Sequence, residues 1–324
     1  MRVPEELVAY LVKWYGEAGQ SWVDAAPDLV AECLDDWRLH VDGSPMNGAW
    51  GLIVPVVRSD GVRAVIKLAP QFEEHIRSEP IALRAWNGDG AVRLLESDAR
   101  SGSMLLERLD ATSSLMDVAD GVEALRILSE LMARLTAVPA PPGLRLLSDV
   151  GAELLDRVQS ALTRSLPAST RTLLVGCAAS LEAVLPEPGD RLLHGDLHYD
   201  NILAHGPDDP REPWLAIDPS PIAGDPGFDL LSALHNRWDE AVATGDVPRA
   251  VRRRFDLMTD VLGLDRERAA AWTLARILQN MLWDIENDDT VWHTEPDKAI
   301  ALTLLAGAHE AKSSVKPDAC GSDA

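Results

Sequence analysis

His194-Gly195-Asp196-Leu197-His198-Tyr199-Asp200-Asn201, with Ile217-Asp218-Pro219 beyond it, is the stretch on which the reading of this 324-residue chain turns. Asn201 follows Asp196 by five residues and Asp218 follows Asn201 by seventeen. Apolar pieces at 191–194, 202–204 and 214–217 read as short strands between them. Transfer of a phosphoryl group from a nucleotide needs a carboxylate that orients and deprotonates the attacking hydroxyl, and oxygen ligands that hold Mg²⁺. Asp196 suits the first task. The amide oxygen of Asn201 and the carboxylate of Asp218 suit the second, because Mg²⁺ takes few protein ligands and completes its shell with phosphates and water. Each residue alone is equally a turn former. The combination H-x-D-x-x-x-x-N, an apolar hairpin and then an Asp in apolar surroundings predicts a kinase. His194 is expected to brace the loop. His198, two residues past the base, is expected to meet a phosphate or the acceptor, with an exposed loop histidine as the competing reading.

Upstream, Leu52 to Val57 and Val62 to Leu68 are apolar, β-rich runs joined by the turn signal Ser59-Asp60-Gly61, and they predict a hairpin with Lys67 near its end. A lysine there can hold α- and β-phosphates if a glutamate fixes it. The position gains weight because the chain has 5 Lys against 25 Arg. Glu79 is the expected partner, with Glu74 second; Pro80 suits a first helical turn and leaves the helix to start or kink there. The run Gly43-Ser44-Pro45-Met46-Asn47-Gly48-Ala49-Trp50-Gly51 precedes the hairpin and is expected to cover phosphates with backbone N–H groups around Gly48, with a plain loop as the competing reading. It is no Walker A loop, since no Gly-Lys-Ser/Thr follows. By position, Glu107, Leu109 and the backbone between them form the hinge that reads adenine.

The periodicities place helices at 5–37 and 72–86 and a strand pair at 91–96 and 103–107, and then helices at 117–138, 148–165, 169–185, 227–243, 247–262, 265–286 and 295–311. The class is α+β in two lobes: a β-rich lobe over 1–106, a hinge at 107–110, a helical lobe over 111–312 and a disordered tail over 313–324. No repeat of 20–50 residues interrupts this order.

Formal net charge is −22. Its plain meaning is a solvated acidic surface. A polyanion would be repelled, which argues against nucleic acid. An attractive field for a cationic small molecule is the sharper reading, and charge alone does not decide between it and the plain one. The basic run Arg252-Arg253-Arg254 reads as a solvated helix face. No window of 18 apolar residues lacks a charge and Met1 to Gln20 has no apolar core, so neither a membrane span nor a signal peptide is expected. Cys33, Cys177 and Cys320 are scattered without metal or disulfide spacing, which fits a reducing cytoplasm. The chain is expected to act as a monomer.

Two further clusters carry charge. Gly224-Asp225-Pro226-Gly227-Phe228-Asp229-Leu230 reads as a turn into a helix, with Asp229 structural and Asp225 open to a substrate role. Asn280, Trp283, Asp284, Glu286, Asp288 and Asp289 gather at a helix end, where carboxylates face an unfavourable dipole. A cationic ligand would account for that; an exposed acidic loop would account for it equally.

With these residues placed, the chain resembles the aminoglycoside phosphotransferase superfamily, whose catalytic loop H-G-D-L-H-Y-D-N matches and whose metal aspartate is matched by I-D-P. The resemblance implies a two-lobed, protein-kinase-like fold, while the chain departs from protein kinases themselves, which have Asp-Phe-Gly at the metal aspartate and a lysine in place of His198. Within the superfamily it is most similar to the streptomycin 6-phosphotransferase and hydroxyurea phosphotransferase group. A-L-R-A-W-N-G-D-G-A-V-R-L-L (82–95), M-L-L-E-R-L-D (104–110), V-P-A-P-P-G-L (138–144), E-P-W-L-A-I-D-P (212–219), G-D-P-G-F-D-L (224–230) and W-T-L-A-R-I-L-Q-N-M-L-W-D-I-E (272–286) carry the closer likeness. The resemblance implies ATP as donor, Mg²⁺ on Asn201 and Asp218, Asp196 as base, Lys67 as phosphate lysine, and acceptor contacts near 284–286. The implied acceptor is a small antibiotic, streptomycin first and hydroxyurea or another small metabolite second. A nucleotide-binding module without transfer activity is the reading from another class, and the intact set Lys67, Asp196, Asn201 and Asp218 argues against it.

Overall fold

The computed structural model describes residues 1–48, 51–72, 74–206, 211–287 and 295–314. Asp288, Asp289 and the tail beyond 314, all singled out above, lie outside the described residues. The chain forms two compact units, neither continuous in sequence: Met1–Val118, Arg134–Leu144 and His194–Ile222 make one, and Ala119–Ala133, Arg145–Leu193 and Ala223–Ala324 the other. The stretch with Asp196, Asn201 and Asp218 therefore clusters with the first hundred residues, not with the helices around it in sequence.

The first unit runs α1 (Glu5–Asp36), β1 (Leu39–Val41), β2 (Met46–Asn47), β3 (Leu52–Arg58), β4 (Arg63–Leu68), α2 (Glu74–Trp86), β5 (Leu94–Asp98), β6 (Ser103–Glu107) and β7 (Asp110–Ser114). One antiparallel sheet has the order β1-β3-β4-β6-β5, with β2 also on β3. Leu7 and Leu11, then Val23, Ala26, Val30 and Cys33, recur at helical spacing and give α1 one apolar face. Gly16 breaks the helix with φ 54° and ψ −126°, a conformation open to glycine. This face shares a core with Leu52, Val54, Val56, Ala64, Ile66, Leu68 and Leu105 of the sheet. Each such leucine or isoleucine contributes about 1.5–3 kcal/mol by burial. Because side chains alternate along a strand, Ala64, Ile66 and Leu68 on the α1 face put Lys67 on the opposite one. There it meets α2.

Expected and observed strands differ in several places, and the short strands β1 and β2 were not expected. The predicted strand 91–96 begins at Leu94, because the residues before it pair elsewhere. Ala91 bridges to Ala216, with Val92 N–H donating to the Ala216 carbonyl (2.8 Å) and Ala216 N–H to that of Gly90 (2.9 Å). The strand β7 was not expected, since Asp110-Ala111-Thr112-Ser113-Ser114 carries no apolar alternation.

The rest of the chain runs α3 (Gly121–Thr136), β8 (Arg145–Leu146), α4 (Leu147–Leu162), α5 (Ala168–Val184), β9 (Arg191–Leu193), β10 (Ile202–Ala204), β11 (Trp214–Ala216), β12 (Ile222–Gly224), α6 (Leu230–His235), α7 (Trp238–Ala243), α8 (Val247–Leu262), α9 (Arg266–Asn287) and α10 (Glu295–Ser314). Strands β11, β10 and β7 form a small sheet in that order. The second unit is helical, centred on α9, whose Trp272, Leu274, Leu278 and Leu282 are buried. The single helix expected over 227–243 is two, α6 and α7. Arg237 between them has φ 52°, and Arg254 closes the break by donating to the carbonyls of Asn236 (3.0 Å) and Arg237 (2.9 Å). So Arg254, read from sequence as part of a solvated run, is a structural residue. Among the described residues no helix is long and apolar enough to cross a membrane.

Candidate active site

The loop after β9 is held by His194, which is buried. Its Nε2–H donates to the Ile217 carbonyl (3.0 Å) and its Nδ1 accepts the Asp196 N–H (3.3 Å). Both bonds require the neutral ring, and burial pushes its pKa down to about 3. Trp86, at the end of α2, stacks on the ring at 6.1 Å between centroids and donates its own N–H to the Leu135 carbonyl. Gly195 has φ 78°, and a Cβ there would stand 1.9 Å from the Ser220 carbonyl oxygen, so only glycine fits. Ser220 N–H in turn donates to the His194 carbonyl (2.8 Å). Leu197 and Tyr199 are buried as anchors on either side of His198. The side chain of Asp196 remains 44% exposed, which leaves its carboxylate accessible to an acceptor.

His198 stands between two carboxylates, Nε2 3.8 Å from Asp196 and Nδ1 3.5 Å from Asp200. Asn201 donates Nδ2–H to the Asp196 carbonyl (2.9 Å), which fixes the amide so that its oxygen is the end left to face a cation. The hairpin β10–β11 pairs Ile202 with Ala216, and Ile217 N–H donates to the Asn201 carbonyl (2.9 Å). Asn201 and Asp218 therefore lie at the same end of one hairpin, although seventeen residues part them. Asp218 has φ 55°, a strained conformation for a non-glycine residue.

Lys67 reaches this end from β4. Its Nζ donates to both oxygens of Glu79 (2.7 Å each) and to Oδ1 of Asp218 (2.8 Å). Glu79 is thus the partner seen; the side chain of Glu74 lies outside the described residues. Burial opposes the ammonium, but Asp218 and Glu79 outweigh it and hold the Lys67 pKa above its ordinary value. Two carboxylates share one ammonium, so they cannot both be fully compensated. Burial, with the charge of Asp218 adding to it, pushes Glu79 up to about 7. Burial opposes ionisation of Asp218 too, but Lys67 prevails there and its pKa is lowered. The glycine-rich turn closes with Gly48 N–H on the Gly51 carbonyl (2.8 Å), and a Cβ on Gly48 would lie 3.8 Å from Asp218 Oδ2. Gly48, Lys67, Glu79, Asp196, His198, Asn201 and Asp218 are thus all in the first unit.

Among the described residues no three His, Cys, Asp or Glu side chains converge as a metal centre. The donor set is instead one amide oxygen and one carboxylate, a sparse all-oxygen pair that fits Mg²⁺ sharing its shell with phosphates. The Glu107 carboxylate is engaged inside the unit by Arg211 (2.8 and 2.7 Å) and the Arg93 N–H (2.6 Å), so the hinge expected at 107–109 falls to its backbone. Leu109 lies in the connector from β6 to β7.

The second unit holds the expected acceptor residues. Asp225 is buried, accepts the Gly227 N–H (2.9 Å) and pairs with Arg268 (2.6 Å), a structural account in place of the expected substrate contact. Glu286 is held in a two-pronged pair by Arg157 (2.8 Å twice). Asn280 donates to Asp297 (3.2 Å), which also bonds His235. Asp284, 4% exposed, lines a cavity of about 210 Å³ with Ser169, Met281, Asp297 and Lys298, and Trp283 is exposed. Sequence reasoning missed Trp86, Arg211 and Asp297. Trp86 lies within a quoted likeness but has no spacing signal, and the two ionic partners are 104 and 62 residues from their counterparts.

Comparison with known proteins bears on the fold and the family. The structure superposes on a putative fructosamine-3-kinase from Thermobifida fusca YX-ER1 with a TM-score of 0.53 at 18% identity, covering 84% of this chain and 97% of that one, which identifies a kinase fold of the α+β class expected. Streptomycin 6-kinase of Streptomyces glaucescens is 52% identical over 287 residues, 89% of this chain and 92% of the relative. Hydroxyurea phosphotransferase of Kitasatospora aureofaciens is 49% identical over 310 residues, 95% and 87% respectively. A family model described as aminoglycoside/hydroxyurea antibiotic resistance kinase matches residues 36–288. With the relatives covering the chain from the sheet to α9, the protein belongs to the aminoglycoside/hydroxyurea antibiotic resistance kinase family.

Proposed function

We propose that this chain transfers the γ-phosphoryl group of ATP to a hydroxyl of a small antibiotic, the 6-hydroxyl of streptomycin first. Mg·ATP, when bound, supplies the phosphoryl group and part of the charge neutralisation. The carboxylate of Asp196 takes the hydroxyl proton and aligns the attacking oxygen, while His194 and Asn201 hold its backbone in place. His198, flanked by Asp196 and Asp200, is placed to meet the acceptor or a phosphate with its ring. Asn201 Oδ1 and the Asp218 carboxylate would hold the metal, and Lys67, steered by Glu79, would meet the phosphates under the Gly48 turn. The observation that carries the reading is the meeting of Lys67 with both Glu79 and Asp218, the latter 151 residues away. A transfer enzyme needs that convergence, and a loop of solvated polar residues does not.

Streptomycin is favoured by the relative at 52% identity and by the acidic balance of the chain. Its guanidinium groups match carboxylate geometry, and Asp284 is the acidic side chain proposed to receive one. Hydroxyurea is the second reading, favoured by the relative at 49%. Incubating the protein with Mg·ATP and either compound, with mass spectrometry of the product, separates them. Phosphorylated streptomycin with acceptor-dependent ADP release is the expected result. Turnover of hydroxyurea alone would replace the first reading by the second, and ATP binding without turnover of any hydroxyl acceptor would overturn both.

A further inference from the structure

We propose that the Glu107–Arg211 pair is a positioning device that couples the nucleotide-reading backbone at 107–109 to the hairpin carrying Asp218. The inference rests on the kinase reading above. Glu107 ends β6, and its main-chain N–H donates to the Arg93 carbonyl (3.0 Å). The return bond from the Arg93 N–H goes to its side-chain Oε1 (2.6 Å), so a carboxylate oxygen takes the place a sheet would give to a main-chain carbonyl. The strand pair shifts register at this point, between Leu94 and Glu96. Both oxygens of the same carboxylate accept from Arg211, three residues before β11. Arg211 also lies 3.4 Å from the Gly88 carbonyl. The side chains of Glu107 and Arg211 are each only 17% exposed.

Three segments meet at this carboxylate: the end of β6, the turn at 88–93 and the start of the β11 strand. The turn itself bonds β11 directly, through Gly90, Val92 and Ala216. Ile217 then fixes Asn201 and His194, and Asp218 follows. A two-pronged Arg–carboxylate pair sets orientation as well as distance, so its loss lets the connector and the metal strand shift separately. Asp284, proposed above to bind the acceptor, belongs to the other unit and carries no part of this network.

The test uses the full chain as wild type, Arg211→Met, Arg211→Lys, Glu107→Gln and the Arg211→Met/Glu107→Gln double variant. Mg·ATP affinity is measured by calorimetric titration, and kcat and both KM values with streptomycin. The pair predicts a rise of about tenfold in Kd for Mg·ATP in Arg211→Met and Glu107→Gln, with KM for the acceptor within about twofold of wild type. It also predicts that the double variant binds no more weakly than the poorer single variant, because both remove one interaction. Arg211→Lys, which keeps the charge without the fork, should fall between, and it carries the test if Arg211→Met does not fold. Unchanged nucleotide affinity in the soluble variants, an equal rise in acceptor KM, or additive losses in the double variant would each overturn the inference. The calorimetric arm needs no turnover, so failure of the acceptor assignment would show separately, as wild type that binds Mg·ATP and phosphorylates nothing.

Discussion

Removing the lysine from the Lys67–Glu79–Asp218 group should be far more damaging to stability than removing the glutamate's charge. Glu79 is 3% exposed and both its oxygens face one ammonium, which Asp218 also faces. The group holds two carboxylates against one cation. Lys67→Met leaves the buried Glu79 and the half-buried Asp218 without a counter-ion, a loss of about 3–5 kcal/mol by analogy with broken buried pairs. Glu79→Gln leaves a one-to-one Lys67–Asp218 pair, and the amide oxygen still accepts one bond, so the loss should be about 1–2 kcal/mol. Thermal unfolding followed by circular dichroism above pH 7, where Glu79 is ionised, should show Tm falling by roughly 10 °C in the first variant and by roughly 2–5 °C in the second. The pH dependence adds a sign. The folded pKa of Glu79, about 7, lies above its ordinary 4.5, so its contribution is present below pH 4.5 and is lost as pH rises through 7. His194 acts the other way. Its folded pKa of about 3 lies below the ordinary 6.5, so the stability it supports is present above pH 6.5 and is lost as pH falls toward 3. Between pH 4.5 and 6.5 the two proton uptakes oppose each other and the wild type should be nearly flat from this source. Glu79→Gln should unmask His194, with stability rising by about 1.4 kcal/mol per pH unit across that window. A Glu79→Gln variant as unstable as Lys67→Met, or one whose pH profile matches wild type, would refute the reasoning.

Asp196→Ala should abolish transfer while Mg·ATP affinity changes less than about threefold, because the base meets the acceptor and not the donor; calorimetry beside a turnover assay decides, and residual full activity would remove Asp196 from the role. Gly195→Ala, with φ 78° and a Cβ driven into the Ser220 carbonyl, should lower kcat/KM by at least about a hundredfold through misplacement of the neighbouring base; activity within tenfold of wild type would show that the loop relaxes at little cost. For the acceptor, Asp284→Asn should raise KM for streptomycin, while Glu286→Gln, whose carboxylate already pairs with Arg157, should leave it within about twofold. Equal effects from the two would mean that Arg157 releases Glu286 to the ligand.

What could be read from the sequence, and what could not, follows from the range of each interaction. The β3–β4 hairpin was legible because apolar runs on both sides of Ser59-Asp60-Gly61 are a local signal. The catalytic loop was legible because its chemistry demands fixed residue types at short spacing. The strand β7 was not, since polar residues paired at a sheet edge leave no periodicity, and neither was the break at Arg237, which depends on Arg254 reaching back seventeen residues. Ion pairs are the hardest case, and they change the functional reading most. An acidic chain of net charge −22 invites every clustered carboxylate to be read as a cation site, yet the arginines that neutralise them lie far off in sequence. Arg268 accounts for Asp225, Arg157 for Glu286 and Arg211 for Glu107, at separations of 43, 129 and 104 residues. Once those partners are assigned, the acidic surface proposed for the acceptor contracts from a helix end to the cavity lined by Asp284 and Asp297. A guanidinium there would meet Asp284 beside an Asp297 that His235 and Asn280 already hold, and the field of a mostly solvated acidic surface would add steering more than affinity. Raising ionic strength should therefore slow acceptor association and leave the discrimination between cationic and neutral acceptors largely intact, which is the behaviour expected if charge count and charge placement do different jobs in this protein.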